Sequence, residues 1–201
     1  MKDTIEYLNF FTSKDPQYAH LNAFYFDVSG HVIATNGYVL MGSKRPFNIK
    51  FSGKGFRAPE YLKGELVEIE KDFLKWKKCI PEESAKKICI SIPTWFKKFQ
   101  PTDEEVIMTI DYKDIQKPFI KLTSKINETS FAFDAKYLSV FAGKEIQILI
   151  LDSYGPKVIV DKNSLLDPFS KNFKEDVLRE EWFYLLMPIN LEKEVESEVY
   201  L

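Results

Sequence analysis

A chain of 201 residues with 45% hydrophobic and 15% aromatic content carries enough apolar material for a core in one or two domains, which excludes a disordered chain. Its net charge of −2 excludes a uniformly basic nucleic-acid coat and leaves local patches to decide. Apolar runs such as Phe183 to Ile189 are too short to span a bilayer, and Met1-Lys2-Asp3 opens no apolar signal segment, so the expected location is the cytoplasm.

In chain order, Thr4 can cap a short helix that places Ile5, Leu8 and Phe11 on one face, ending near Ser13 to Pro16. Asn22 to Val28 alternates as a strand. Ser29-Gly30 is expected as a two-residue turn, with His31 to Thr35 as the partner strand. Asn36-Gly37 is the strongest hairpin signal, because both residues tolerate the positive φ of a type I′ turn, and Tyr38 to Ser43 follows as a strand. Residues 44 to 63, rich in Pro, Gly and Lys, read as a long irregular connection. Gly64 to Glu70 is expected as a strand running into a helix from Lys71 to Ile80. That helix would bury Phe73, Trp76 and Ile80 and present Lys71, Lys75 and Lys78 to water at i, i+4, i+7 spacing.

Lys87 to Ile92, Glu105 to Tyr112 and Pro118 to Ser124 read as three strands, and Asn127 to Asp134 as a fourth. Ala135 to Ala142 is expected as a helix with Asp134 as its cap and Gly143 just past its end. Glu145 to Asp152 is apolar on both faces and so belongs in the middle of a covered sheet. Lys157 to Asp161 returns as its partner after a turn at Ser153 to Pro156. A polar loop with a short helix at Lys174 to Glu180 leads to the last run, Glu181 to Leu191, a strand that ends at Pro188 with an apolar Met-Pro-Ile-x-Leu turn after it. The regularity in this order is a strand-helix-three-strand unit, repeated, with helices on one face of antiparallel sheets, an α+β architecture. The first copy lacks its opening strand.

No chemistry stands out. Cys79 and Cys89 lack metal or redox spacing and read as free thiols, and His20 and His31 lie near no partner at ligand spacing. Gly53-Lys54-Gly55 has no helix directly after it and is no phosphate loop, and no Gly-x-Ser-x-Gly element occurs. The expectation is a protein that is not an enzyme and uses no metal or cofactor.

The element order and several motifs resemble the sliding clamp of bacterial replication, the β subunit of DNA polymerase III. Ala34-Thr35-Asn36-Gly37-Tyr38-Val39-Leu40 is similar to the Ala-Thr-Asp-Gly-His-Arg-Leu-type turn of that family's middle domain. Glu68 to Lys75 resembles the family's lead into an inner-wall helix. Phe133-Asp134-Ala135-Lys136-Tyr137-Leu138, Asp152 to Pro156 and Met187-Pro188-Ile189-Asn190-Leu191 match the family's last domain in order. By this resemblance, residues 1–125 form a clamp-like domain and 126–201 a half-size clamp-like unit. A second layout joins 1–45 with 126–191 and treats 46–125 as an insertion.

The resemblance implies a DNA-tethering or processivity role in replication without catalysis, on a six-domain ring that surrounds duplex DNA without sequence readout. It implies a peptide-binding cleft from Thr35, Gly37, Tyr38 and Leu40 with Met187, Pro188, Ile189 and Leu191. The partners implied are polymerase or clamp-loader-type proteins, bound through short apolar peptides. Lys71, Lys75 and Lys78 would face double-stranded DNA, and several copies would assemble. The alternative is an adaptor that keeps the cleft without encircling DNA. Asn36, Tyr38, Val39 and Asn190 stand where the family carries charged or His residues.

Overall fold

The computed structural model describes residues 5–69, 73–82, 86–92, 100–101, 106–111, 119–124, 130–150 and 155–187. In chain order these are α1 (Ile5–Leu8), continued by a 3-10 turn to Phe11, then β1 (Ala23–Phe26), β2 (His31–Thr35), β3 (Val39–Lys44), β4 (Lys54–Arg57) and α2 (Ala58–Leu62). There follow a 3-10 turn at Trp76–Cys79, β5 (Lys86–Ile92), β6 (Gln100–Pro101), β7 (Val106–Asp111), β8 (Phe119–Ser124) and β9 (Ser130–Asp134). The rest is α3 (Ala135–Leu138) with a 3-10 turn to Phe141, β10 (Lys144–Ile150), β11 (Lys157–Asp161), α4 (Phe173–Val177) and β12 (Trp182–Leu186). Packing gathers them into two compact units, residues 1–80 with 174–185, and residues 81–173 with 186–201. This division falls at Ile80 and Lys174, whereas the sequence reading set its boundary at residue 125.

In the first unit the strands lie in the order β4-β1-β2-β3-β12. Direct register partners share a face, so Tyr25, Ile33 and Gly42 point one way and Phe26, Val32 and Ser43 the other. On the second face sit the 3-10 turn ending at Phe11, α2 and a further 3-10 turn. Phe11 meets Tyr184 edge to face at 5.4 Å, and Tyr61 of α2 packs on Phe24 and Phe26 at 5.8 and 5.3 Å. Phe51, in a 3-10 turn at Ile49–Phe51, meets Phe26 at 5.5 Å. The first face is covered instead by Ile69, which lies against Gly55, and by residues 73–80, with Phe73 stacked on Tyr25 and Trp76 stacked on Phe183. Both faces are covered, which is why β2 is buried at all five positions.

Several local expectations change. The β1–β2 connection is longer than Ser29-Gly30. Asp27 N donates to the His31 carbonyl, and Gly30, at φ 87°, donates its N–H to the Asp27 carbonyl. This is the three-residue hairpin that needs a left-handed residue last. The β2–β3 hairpin is shifted from the expected Asn36-Gly37 turn, since Thr35 pairs with Leu40 and Asn36 N donates to the Val39 carbonyl at 3.3 Å, which puts Gly37 and Tyr38 at the tip. Residues 49–62 hold a 3-10 turn, β4 and α2 where an irregular connection was expected. Of the strand expected at Gly64 to Glu70, only a bridge from Glu68 to Phe56 forms among the described residues 64–69. The helix expected at Lys71 to Ile80 is absent from its described part. Residues 73–75 have no regular structure, and Lys75 at ψ 61° precedes the single turn Trp76–Cys79.

In the second unit β10 lies between β11 and β5, with β6 beyond, and β7-β8-β9 form a separate antiparallel sheet. β10 is buried on both faces from Ile146 to Ile150, as its sequence suggested. Asp134 Oδ1 accepts the Lys136 N–H at 3.0 Å to open α3, and Gly143 at φ 76° follows its 3-10 end. Leu138 and Phe141 are buried by that helix. The Thr4 cap lies outside the described residues.

Candidate functional site

The turn that resembles the clamp motif is built by its own side chains. Thr35 Oγ1 donates to the Val39 carbonyl at 2.6 Å and accepts from Gly37 N at 3.1 Å. Asn36 Oδ1 accepts from Tyr38 N at 3.0 Å and Val39 N at 3.1 Å. An Asp at that position would accept the same two bonds, so Asn36 preserves the shape of the turn and removes its charge. Gly37 adopts φ 92°, a conformation that disfavours any side chain. Thr35 and Leu40 are buried, whereas Gly37 and Tyr38 are exposed, Tyr38 by 67%. Of the four turn positions, then, two offer side-chain or backbone surface and two hold the hairpin. Met187 is exposed, while Pro188, Ile189 and Leu191 lie outside the described residues.

Lys75 and Lys78 are exposed, and Lys71 lies outside the described residues. Their anticipated carrier, an amphipathic helix, is replaced by a non-helical run with one 3-10 turn. Between them in sequence, Lys77 Nζ pairs with Asp27 Oδ1 at 3.0 Å. Asp27, 4% exposed, also accepts the Ser29 N–H at 2.8 Å and the Trp76 indole N–H at 3.2 Å. Burial opposes its charge, yet the Ser29 and Lys77 hydrogen bonds outweigh burial and hold the carboxyl below its usual range.

Beside this group His31 is fully buried against Phe183. Its Nε2 lies 3.1 Å from the Glu180 carbonyl, which only accepts, so Nε2 carries the proton and Ser29 Oγ donates to Nδ1 at 3.0 Å. A closed, neutral imidazole with both nitrogens engaged cannot exchange protons with a substrate. Sequence reading did not single out Asp27 or Lys77; nothing in their local spacing connects residues fifty positions apart. Among the described residues no three side chains of ligand type gather to hold a metal, and no helix is long and apolar enough to cross a membrane.

No protein-family model matches the chain, and no curated protein does. Solved structures do. The β subunit of DNA polymerase III from Thermotoga maritima matches at TM-score 0.60 and 12% identity, over 92% of this chain and 63% of that one. A sliding clamp from Bartonella birtlesii bound to griselimycin matches at 0.59 and 14%, over 91% and 62%. The polymerase III β protein of Caulobacter crescentus matches at 0.61 and 14%, over 93% and 62%. This chain thus spans about three fifths of the length of those it matches. At such identity the likeness is one of architecture: the chain is an α+β protein with the fold of the bacterial sliding clamps.

Proposed function

We propose that this protein is a divergent clamp-like tether of the sliding-clamp family. It would hold partner proteins on duplex DNA in the cytoplasm as a processivity factor and catalyse nothing itself. The observation that carries the reading is the alignment of 92% of the chain onto a sliding clamp. The Thr35–Leu40 turn supports it, since its hydrogen bonds hold Gly37 and Tyr38 outward in a fixed shape. In this reading Thr35, Gly37, Tyr38 and Leu40, with Met187, Pro188, Ile189 and Leu191, take short apolar peptides of polymerase or loader proteins. Met187 is an adaptable surface for such anchors. Lys71, Lys75 and Lys78 contact phosphates without sequence preference. If each compact unit stands for one domain, a six-domain ring takes three chains, about 70 kDa from chains of 23.5 kDa.

A second reading has a specific observation in its favour. Lys75 precedes and Lys78 lies within a single 3-10 turn and not an inner-wall helix, which fits an adaptor that binds clamp-type peptides without encircling DNA. Light scattering with and without nicked circular DNA separates the two. A discrete oligomer near the three-chain mass, retained on the circle and released on linearisation, establishes the tether. A monomer indifferent to DNA refutes it and leaves the adaptor. Under the tether reading, Lys71→Glu with Lys75→Glu and Lys78→Glu weakens DNA retention and flattens its salt dependence by up to about three units of slope. Under either reading, Tyr38→Ala and Met187→Ala, tested separately, each weaken binding of a clamp-motif peptide about tenfold in a fluorescence titration. Unchanged binding in both removes the peptide site.

A further inference from the structure

The run Phe73–Ile80 crosses one face of the first unit's sheet, and its mode of attachment is unusual. Among the described residues its backbone makes no hydrogen bond to the sheet. Trp76 N donates to the Leu74 carbonyl and Lys78 N to the Lys75 carbonyl, both within the run. Just upstream the attachment differs, because Arg57 N donates to the Val67 carbonyl and Ile69 N to the Gly55 carbonyl. From Phe73 onward the fastening is by side chains alone. Phe73 stacks on Tyr25 with ring centroids 5.0 Å apart and planes 4° apart, and Trp76 stacks on Phe183 at 5.7 Å and 18°. Asp27 accepts the Trp76 indole N–H and pairs with Lys77, while Ile80 is buried at the far end.

We propose that Phe73–Ile80 is a strap that lifts from the sheet as a unit while the sheet stays folded, with the Asp27 carboxylate as its latch. A β-ladder opens by breaking a row of backbone bonds with the strand it belongs to. This segment needs two ring stacks, one carboxylate and the buried Ile80 to release, and its own turn can persist after release. Beneath it lie Tyr25 and Phe183, an aromatic face in which the Phe183 ring itself rests on Gly42. Release frees Lys77 alongside the already exposed Lys75 and Lys78, so opening changes the charge displayed as well as the surface.

Cys79, half-buried on the strap, reports on opening. In a Cys89→Ser background its labelling rate by a thiol reagent is compared with that of a Cys79→Ser, Ala34→Cys chain, whose thiol sits in the buried sheet. Asp27→Asn keeps Oδ1 for the Ser29 N–H, sets an amide donor against the Trp76 indole N–H and removes the charge that holds Lys77, so it opens the latch without removing the hairpin. The expected result is that Asp27→Asn speeds Cys79 labelling about tenfold or more and leaves labelling at position 34 within about twofold. Phe73→Ala, which removes one stack at the strap's edge, gives the same pattern in a chain that keeps the carboxylate. Equal acceleration at both positions, or none at Cys79, overturns the proposal, because the strap then leaves only when the whole unit unfolds or does not leave at all.

Discussion

Two single positions show how tightly the first unit's sheet is fitted. Gly42 lies under Phe183, and a Cβ built there would stand 2.3 Å from the ring's Cζ. Gly42→Ala must therefore displace Phe183, and with it Trp76, at a cost of about 1–3 kcal/mol, read as a lower urea midpoint with an unchanged slope. His31 makes a second prediction. Burial lowers its pKa below the usual 6.5, Lys44 acts in the same direction, and the Glu180 carbonyl, Asp27 and Glu181 only partly oppose them. The unfolded imidazole therefore takes up its proton at a higher pH than the folded one. Stability from this residue is complete above pH 6.5 and declines as the pH falls through 6.5 toward the lower folded value. Urea midpoints at pH 7.5 and 5.5 should differ in that direction, and His31→Gln should remove most of the difference. Asp27, whose folded pKa is depressed, adds a separate loss below its usual 3.8.

At the scale of elements, what the sequence revealed and what it hid have different physical origins. α3 was legible because Asp134 and Gly143 mark its ends by chemistry that acts within one turn. β10 was legible because both of its faces are apolar. The run 73–80 was half legible. Trp76 and Ile80 are buried and Lys75 and Lys78 exposed, as the helical pattern required, but one 3-10 turn on an extended run gives the same alternation. Its conformation is set by the aromatic sheet face it covers, which no local spacing records. The clamp-like turn was identified by its residues, yet the shift of its tip to Gly37 and Tyr38 follows from Thr35 hydroxyl and Asn36 amide bonds that compete with a type I′ geometry at Asn36-Gly37. Asn36→Ala leaves two N–H groups without that acceptor and should cost about 1 kcal/mol, whereas Asn36→Asp should hold the turn, as measured by thermal melts.

For the whole molecule the governing feature is that the first unit is closed by residues 174–185, far along the chain from β3. His31 binds the Glu180 carbonyl, Lys44 N binds the Glu181 carbonyl, and Phe183 and Tyr184 are buried on opposite faces of the sheet. Removing the chain after Leu178 should therefore not merely trim a tail. It should abolish the cooperative unfolding of the N-terminal unit, seen as loss of its sigmoidal urea transition and of amide protection in β2 and β3. The same connection sets a clock on biosynthesis. A ribosome adding about 5–20 residues per second needs on the order of ten seconds between releasing Lys44 and releasing Trp182. Through that interval β3 waits with an unpaired edge beside the bare strip at Gly42, so the nascent chain offers chaperones an open strand that the finished protein never displays.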